Sequence, residues 1–237
     1  MSRSAIAILT FILAAAFALS PAFISDFGGF DADQFPVPQN DPPVQPAGYA
    51  FAIWGVIYLW LLVGMGYGLW KRREDAQWHA MRLALAPSLA VGAVWLPVAV
   101  VSPVWASVLI WIMLGTALWA LLATTQQDRW LLRAPIGLYA GWLTAASWVS
   151  LALTGAGYDL LPLSQTAWAI AIIVGALVTA IAVLVSRAPN LAYSAAVIWA
   201  LVAVVVQNGL SQVSVAGLAA LGAVALAGLA IWSERRA

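Results

Sequence analysis

The chain contains no cysteine. Disulfides, thiolate metal sites and thiol catalysis are excluded together. Charge is nearly as scarce: Asp, Glu, Lys and Arg make up 8% of the 237 residues, against about 25% in a soluble domain. With 64% of residues hydrophobic, there is too little polar surface to cover a water-soluble globule. The net charge is +1 and no basic cluster exceeds about four residues, so nucleic acid is excluded as a partner. Lysine and histidine occur once each, as Lys71 and His79. A retinal protein needs a lysine deep in a helix, and Lys71 lies at a helix end. No Asp, Glu, Lys or Arg stands near the middle of an apolar run, which argues against an ion-coupled carrier or pump. His79 has no second ligand for a metal. Ser and Thr cannot form a nucleophile–base pair without a buried histidine or lysine. The chain therefore reads as a binding protein rather than an enzyme, with no cofactor required.

What is abundant is long apolar sequence. Runs fall at about Ala5–Ile24, Gly48–Trp70, Ala80–Val101, Val104–Thr124, Ala134–Thr154, Gln165–Ser186, Leu191–Val206 and Val213–Trp232. Most can cross about 30 Å of hydrocarbon at roughly 1.5 Å per residue. They are continuously apolar rather than alternating, which excludes strand spans. The expected fold is all-α, a polytopic bundle of about eight transmembrane helices.

The charges alternate with the spans. Arg3, then Lys71, Arg72, Arg73 and Arg82, then Arg129 and Arg133, then Arg187, then Arg235 and Arg236 occupy every second connection, and these are all ten basic residues. The other connections carry Asp26, Asp31, Asp33, Asp41 and Asp159. Basic residues stay cytoplasmic, so both termini are expected inside a bacterial-type inner or plasma membrane. The first run has features of a secretory signal, but Pro21 follows the Ala18-Leu19-Ser20 site and the run continues through Ile24. It reads as a retained span. The long outer loop, residues 25–47, is rich in Asp and in proline, including Pro36, Pro38, Pro42, Pro43 and Pro46. Proline favours extended chain, which suits a solvated linker or a lid over the helix bundle.

Tryptophan occurs fourteen times. Trp70, Trp78, Trp105, Trp130 and Trp232 fall where interfacial anchors are expected. Others lie deeper. Phe51, Trp54 and Tyr58 share one helix face. Trp111, Gly115 and Trp119 form a second stripe, and Tyr139, Trp142, Ala146 and Ser150 a third. Ordinary packing accounts for any one of these residues. Together they suit a cavity for a large planar or sterol-like molecule. The last three spans are rich in small residues, such as Ala216 and Ala220 or Ala223 and Ala227, which suit a scaffold or a homodimer contact.

Three segments carry a resemblance. They are Pro46-Ala-Gly-Tyr-Ala-Phe-Ala-Ile-Trp54-Gly-Val-Ile-Tyr58, Trp95-Leu-Pro97, and Leu138-Tyr139-Ala-Gly-Trp142-Leu-Thr-Ala-Ala146. In order and spacing they resemble the TspO/MBR family, the tryptophan-rich sensory proteins related to the mitochondrial translocator protein. The resemblance covers about Ala5–Thr154. It implies a five-helix core over residues 1–154, with three additional helices over 155–237. It also implies a pocket for porphyrins and other tetrapyrroles, sterols or aromatic ligands, a tetrapyrrole being the ligand rather than a cofactor. Carried over by position, Tyr49, Phe51, Trp54, Tyr58, Trp95, Trp142, Ala146 and Ser150 are the expected ligand-binding residues. Tyr49 stands near a family Trp, while Gly92 and Ser150 stand where the family has Asn. The expected partners are membrane lipid and a hydrophobic small molecule. The expected role is receptor or sensor; a facilitator of the same ligand, or an assembly protein with no ligand, are the alternatives.

Overall fold

The computed structural model describes residues 1–24, 27–186 and 190–235; Asp26, Arg187 and Arg236 of the charge pattern lie outside the described residues. Among the described residues eight α-helices follow in order: α1 Arg3–Leu19, α2 Ile53–Lys71, α3 Ala76–Ala99, α4 Pro103–Leu122, α5 Ala134–Gly157, α6 Gln165–Val185, α7 Leu191–Asn208 and α8 Val213–Glu234. Among the described residues there is no strand. All eight helical segments are long and apolar enough to cross a bilayer, with 3₁₀ turns extending α1 and α2. The chain is an integral membrane protein.

Helix starts follow local chemistry. The side chains of Ser2, Asp75, Ser102, Ser164 and Asn190 accept hydrogen bonds from backbone N–H groups in the first turns of α1, α3, α4, α6 and α7. Each satisfies a donor that the helix itself cannot.

The alternating connections meet at opposite ends of the bundle. At the basic end, Arg3 donates to the Glu74 carbonyl at 2.9 Å. There, too, Arg72 pairs with Asp128 and Arg129 with Glu234, each at 2.8 Å. Asn190 donates to the Arg133 carbonyl at 2.8 Å. At the other end, Gln34 donates to the Val100 carbonyl and the Val37 amide to the Gly157 carbonyl, each at 2.9 Å. Gln165 reaches Gln39 and Asn208 reaches the Pro43 carbonyl, each at 2.8 Å. The loop from Phe27 to Ala47 is thus tied to α3, α5, α6 and α7 and lies as a lid across the helix ends.

Two residues of the basic end differ from expectation. Helix α3 begins a turn early, and Arg82 lies inside it, 1% exposed. Its guanidinium donates to the carbonyls of Gly68, at 2.8 Å, and Arg72, at 3.2 Å. A cation closing the end of α2 satisfies carbonyls that the helix leaves open and complements its dipole. Trp78, expected at the interface, is fully buried and donates to Asp128 at 3.0 Å. Trp70, Trp105, Trp130 and Trp232 are exposed, as interfacial anchors would be.

Helix α5 occupies the centre, packed against α2, α4, α6 and α7. At Gly141 a side chain would strike the Tyr193 carbonyl of α7, so glycine sets this close approach. Lipid is as apolar as leucine, so packing and interhelical hydrogen bonds must hold the helices together. Ser88 bonds Tyr139 and Thr144 bonds Tyr193, each at 2.9 Å, and Ser107 bonds Ser150 at 2.6 Å. Each such bond contributes on average about 0.6 kcal/mol.

Candidate ligand-binding site

The aromatic residues of α1, α2, α3 and α5 converge below the lid. The 3₁₀ turn Gly48–Ala52 leads straight into α2. The helical spacing then places Trp54 one turn before Tyr58, with the rings stacked at 5.4 Å and 17°. Phe17 of α1 presents its edge to both, at 5.8 and 4.9 Å. Trp142 of α5 stands edge-on to Phe51, at 5.9 Å, and to Trp54, at 6.1 Å. Such aromatic pairs contribute about 0.5–1.5 kcal/mol beyond area burial.

Two chambers lie against this cluster. The larger, about 440 Å³, lies among α1, α2, α3 and α4, walled by Phe17, Trp54, Tyr58, Trp95 and Met113. The smaller, about 90 Å³, lies among α4, α5, α6 and α7 under the lid. Phe27, Phe51, Trp95 and Ile110 line both chambers and form the partition between them. Trp95 is held in that partition by its own indole, which donates to the Ala106 carbonyl at 2.9 Å. Phe27 of the lid meets Trp95 edge-on at 5.3 Å.

The expected residues divide between the chambers. Trp54 and Tyr58 line the larger; Trp142, Ala146 and Ser150 line the smaller; Phe51 and Trp95 line both. Tyr49 lines neither: it is exposed, its ring edge-on to Trp199 of α7 at 5.3 Å. Its place in the turn ahead of α2 points it away from the face that Trp54 and Tyr58 share. The Trp111 stripe also faces elsewhere. Trp111 packs on Trp148 at 5.2 Å, and Trp119 is exposed.

The sequence reading missed Phe17, Phe27 and Phe30, and the contribution of α6 and α7. Phe17 alone had a signal, as a single aromatic within Ala14-Ala15-Ala16-Phe17-Ala18. It also explains Gly92: a Cβ there would lie 2.7 Å from the Phe17 ring, which takes the space of a side chain.

Polar groups around the chambers are few and mostly engaged. Ser150 bonds Ser107, and Trp148 donates to Thr179 at 3.1 Å. The indole N–H of Trp142, a residue 2% exposed, has no acceptor among the described residues. Leaving a buried donor unsatisfied costs about 1–3 kcal/mol.

An all-helical membrane protein with an aromatic-walled cavity between its spans is the class that this arrangement defines. The chain belongs to the TSPO-like protein family, whose model matches residues 4–232. The match runs through α6, α7 and α8, beyond the five spans that carried the resemblance in the sequence. No curated protein and no solved structure matches the chain.

Proposed function

We propose that the protein is a membrane receptor or sensor that takes a planar, largely apolar ligand, of tetrapyrrole or sterol type, into the larger chamber. The observation that carries this reading is the stacked Trp54–Tyr58 pair, with Phe17 and Trp95, around about 440 Å³ of space. That volume falls within the roughly 300–1,000 Å³ of small-molecule sites. Flat aromatic walls supply affinity by stacking and area burial, and few polar groups are present to orient a ligand. The role is binding rather than catalysis. Gly55 is exposed on α2 and also lines this chamber. A wall without a side chain there suits a lipophile arriving sideways from the bilayer.

In this reading both termini are cytoplasmic, following the basic residues, and the lid lies on the far side of an inner or plasma membrane. The same portal at Gly55 suits a facilitator, the second reading. Flux of ligand into protein-containing vesicles separates the two. The binding test is a titration of the purified protein with protoporphyrin, followed by tryptophan quenching. Saturation in the wild type, weakened in Trp54→Leu after correction for the lost fluorophore, is the expected result. Linear quenching, equal in both proteins, would mean partitioning into detergent and would end the proposal.

A further inference from the structure

We infer that the basic end of the bundle holds a site for the phosphodiester of one anionic phospholipid, formed where the turn before α5 meets the start of α7 and the end of α8. It lies at the end opposite the lid and does not depend on what the two chambers bind.

The turn itself is unusual. Arg129–Arg133 form one π-helical turn, a rare conformation that recurs at functional sites. It is clamped to α2. The Trp60 indole donates to the Trp130 carbonyl at 2.7 Å, and a side chain at Gly64 would strike the Leu131 carbonyl. The turn also borders a cavity of about 40 Å³, whose walls include Arg129, Trp130, Arg133, Asn190, Ala192 and Glu234. That is above the roughly 10–15 Å³ that holds one water, and on the scale of a phosphate group rather than a whole lipid. Asn190 ties the walls together. Its Nδ2 donates to the Arg133 carbonyl at 2.8 Å, and its Oδ1 accepts the Tyr193 amide at 3.1 Å.

Charge selects the occupant. Two arginines and one carboxylate stand among the lining residues, an excess of one positive charge. A phosphodiester carries one negative charge. Arg129 gives Nη2 to Glu234 at 2.8 Å, and a guanidinium carries five N–H donors, so donors remain for a second acceptor. The planar guanidinium fork matches phosphate oxygens. Leu191 and Ala192 open α7, and the partial positive charge of a helix start adds to that of the arginines. The Glu234 carboxylate is already spent on Arg129, which favours an anionic headgroup over a zwitterionic one.

Position selects the source. Trp130 is 68% exposed, and Trp232 of α8 is exposed as well. Indoles exposed at helix ends sit at headgroup level. A basic pocket between spans at that level recognises anionic headgroups.

The test is native mass spectrometry of the purified full chain, titrated in detergent with phosphatidylglycerol or with phosphatidylcholine of the same acyl chains. Both lipids carry a phosphodiester, and only the first is anionic. Phosphatidylglycerol is expected to bind saturably as one adduct, about tenfold tighter than phosphatidylcholine. Arg129→Gln should weaken it about tenfold, the scale of one lost hydrogen bond between charged groups. Arg73→Gln removes the same charge from an exposed position of the basic end that does not line the cavity, and should leave binding at its wild-type value. Ala192→Leu fills the cavity without altering charge and should weaken binding by a factor similar to that of Arg129→Gln.

Equal affinity for the two lipids, equal losses in Arg129→Gln and Arg73→Gln, or undiminished binding in a folded Ala192→Leu would each overturn the inference, because each means a diffuse attraction of basic residues for anionic lipid. Displacement of the lipid by an equal concentration of glycerophosphoglycerol, the headgroup without its chains, would assign the cavity to a soluble phosphodiester and overturn the lipid source. The two lipids and the two surface arginines decide the matter even if Ala192→Leu fails to fold.

Discussion

Asp128 accepts the indole N–H of Trp78 at 3.0 Å while pairing with Arg72 at 2.8 Å, so one carboxylate joins the α2 end, the start of α3 and the connection before α5. Tyr67 adds a third donor at 3.3 Å. The Arg72 hydrogen bond, against an opposing effect of burial, holds this carboxyl below the usual carboxylate range.

The sign of the pH dependence follows. A carboxyl whose folded pKa is depressed stabilises the fold above its unfolded pKa, about 3.9, and loses that contribution as pH falls through the folded value. Thermal stability in detergent should therefore fall as pH drops below about 4. Asp128→Asn keeps a residue tolerant of the left-handed backbone found here, φ 50°. It should cost about 1.5–3 kcal/mol at neutral pH and flatten the acid limb. An unchanged acid limb in that variant would place the sensitivity elsewhere.

Gly92 and Phe17 should behave as a coupled pair. Gly92→Asn puts side-chain atoms into the Phe17 ring, and overpacking of this kind costs about 1–3 kcal/mol. In Phe17→Ala the ring is gone, and the added Asn should cost much less. A double-mutant cycle by thermal unfolding measures the coupling, and additive effects would show that the ring moves aside freely.

Trp54→Leu should weaken protoporphyrin binding about threefold to tenfold, the scale of one aromatic contact. Tyr49→Leu should leave it unchanged, because Tyr49 packs on Trp199 and lines neither chamber. A comparable loss in both would show that the quenching does not report the larger chamber.

Asn208→Leu removes the donor that holds the Pro43 carbonyl. Amide hydrogen exchange should rise at Gln45 and Ala47, which lie beside that anchor, while the α5 amides stay protected. Exchange unchanged at Ala47 would mean that its own bond to Ala203 suffices to hold the lid.

The spans were legible because each physical signal was long: some twenty apolar residues, and basic residues at every second connection. The contacts of Arg3 with Glu74 and of Arg129 with Glu234 bring those connections to one end. Trp54, Tyr58 and Trp142 were legible as aromatics at helical spacing, and Trp95 only through the resemblance that Trp95-Leu-Pro97 carries. Trp78 and Arg82 were misplaced because a helix-end residue looks interfacial until its acceptor is known, and Asp128 lies 50 residues from Trp78. The α6 and α7 walls were silent for another reason. Nothing distinguishes Ala176 or Ala200 beside a cavity from alanine in a tight contact.

The central position of α5 has a chemical consequence. It is the most buried of the eight spans and carries Thr144, Ser147 and Ser150 on buried positions. Surrounded by other helices, it is dissolved in protein rather than in lipid. Its side chains answer to volume and hydrogen bonding, as those of a water-soluble core do. Substitutions there should be tolerated by size before hydropathy, and the outer helices should follow the opposite order.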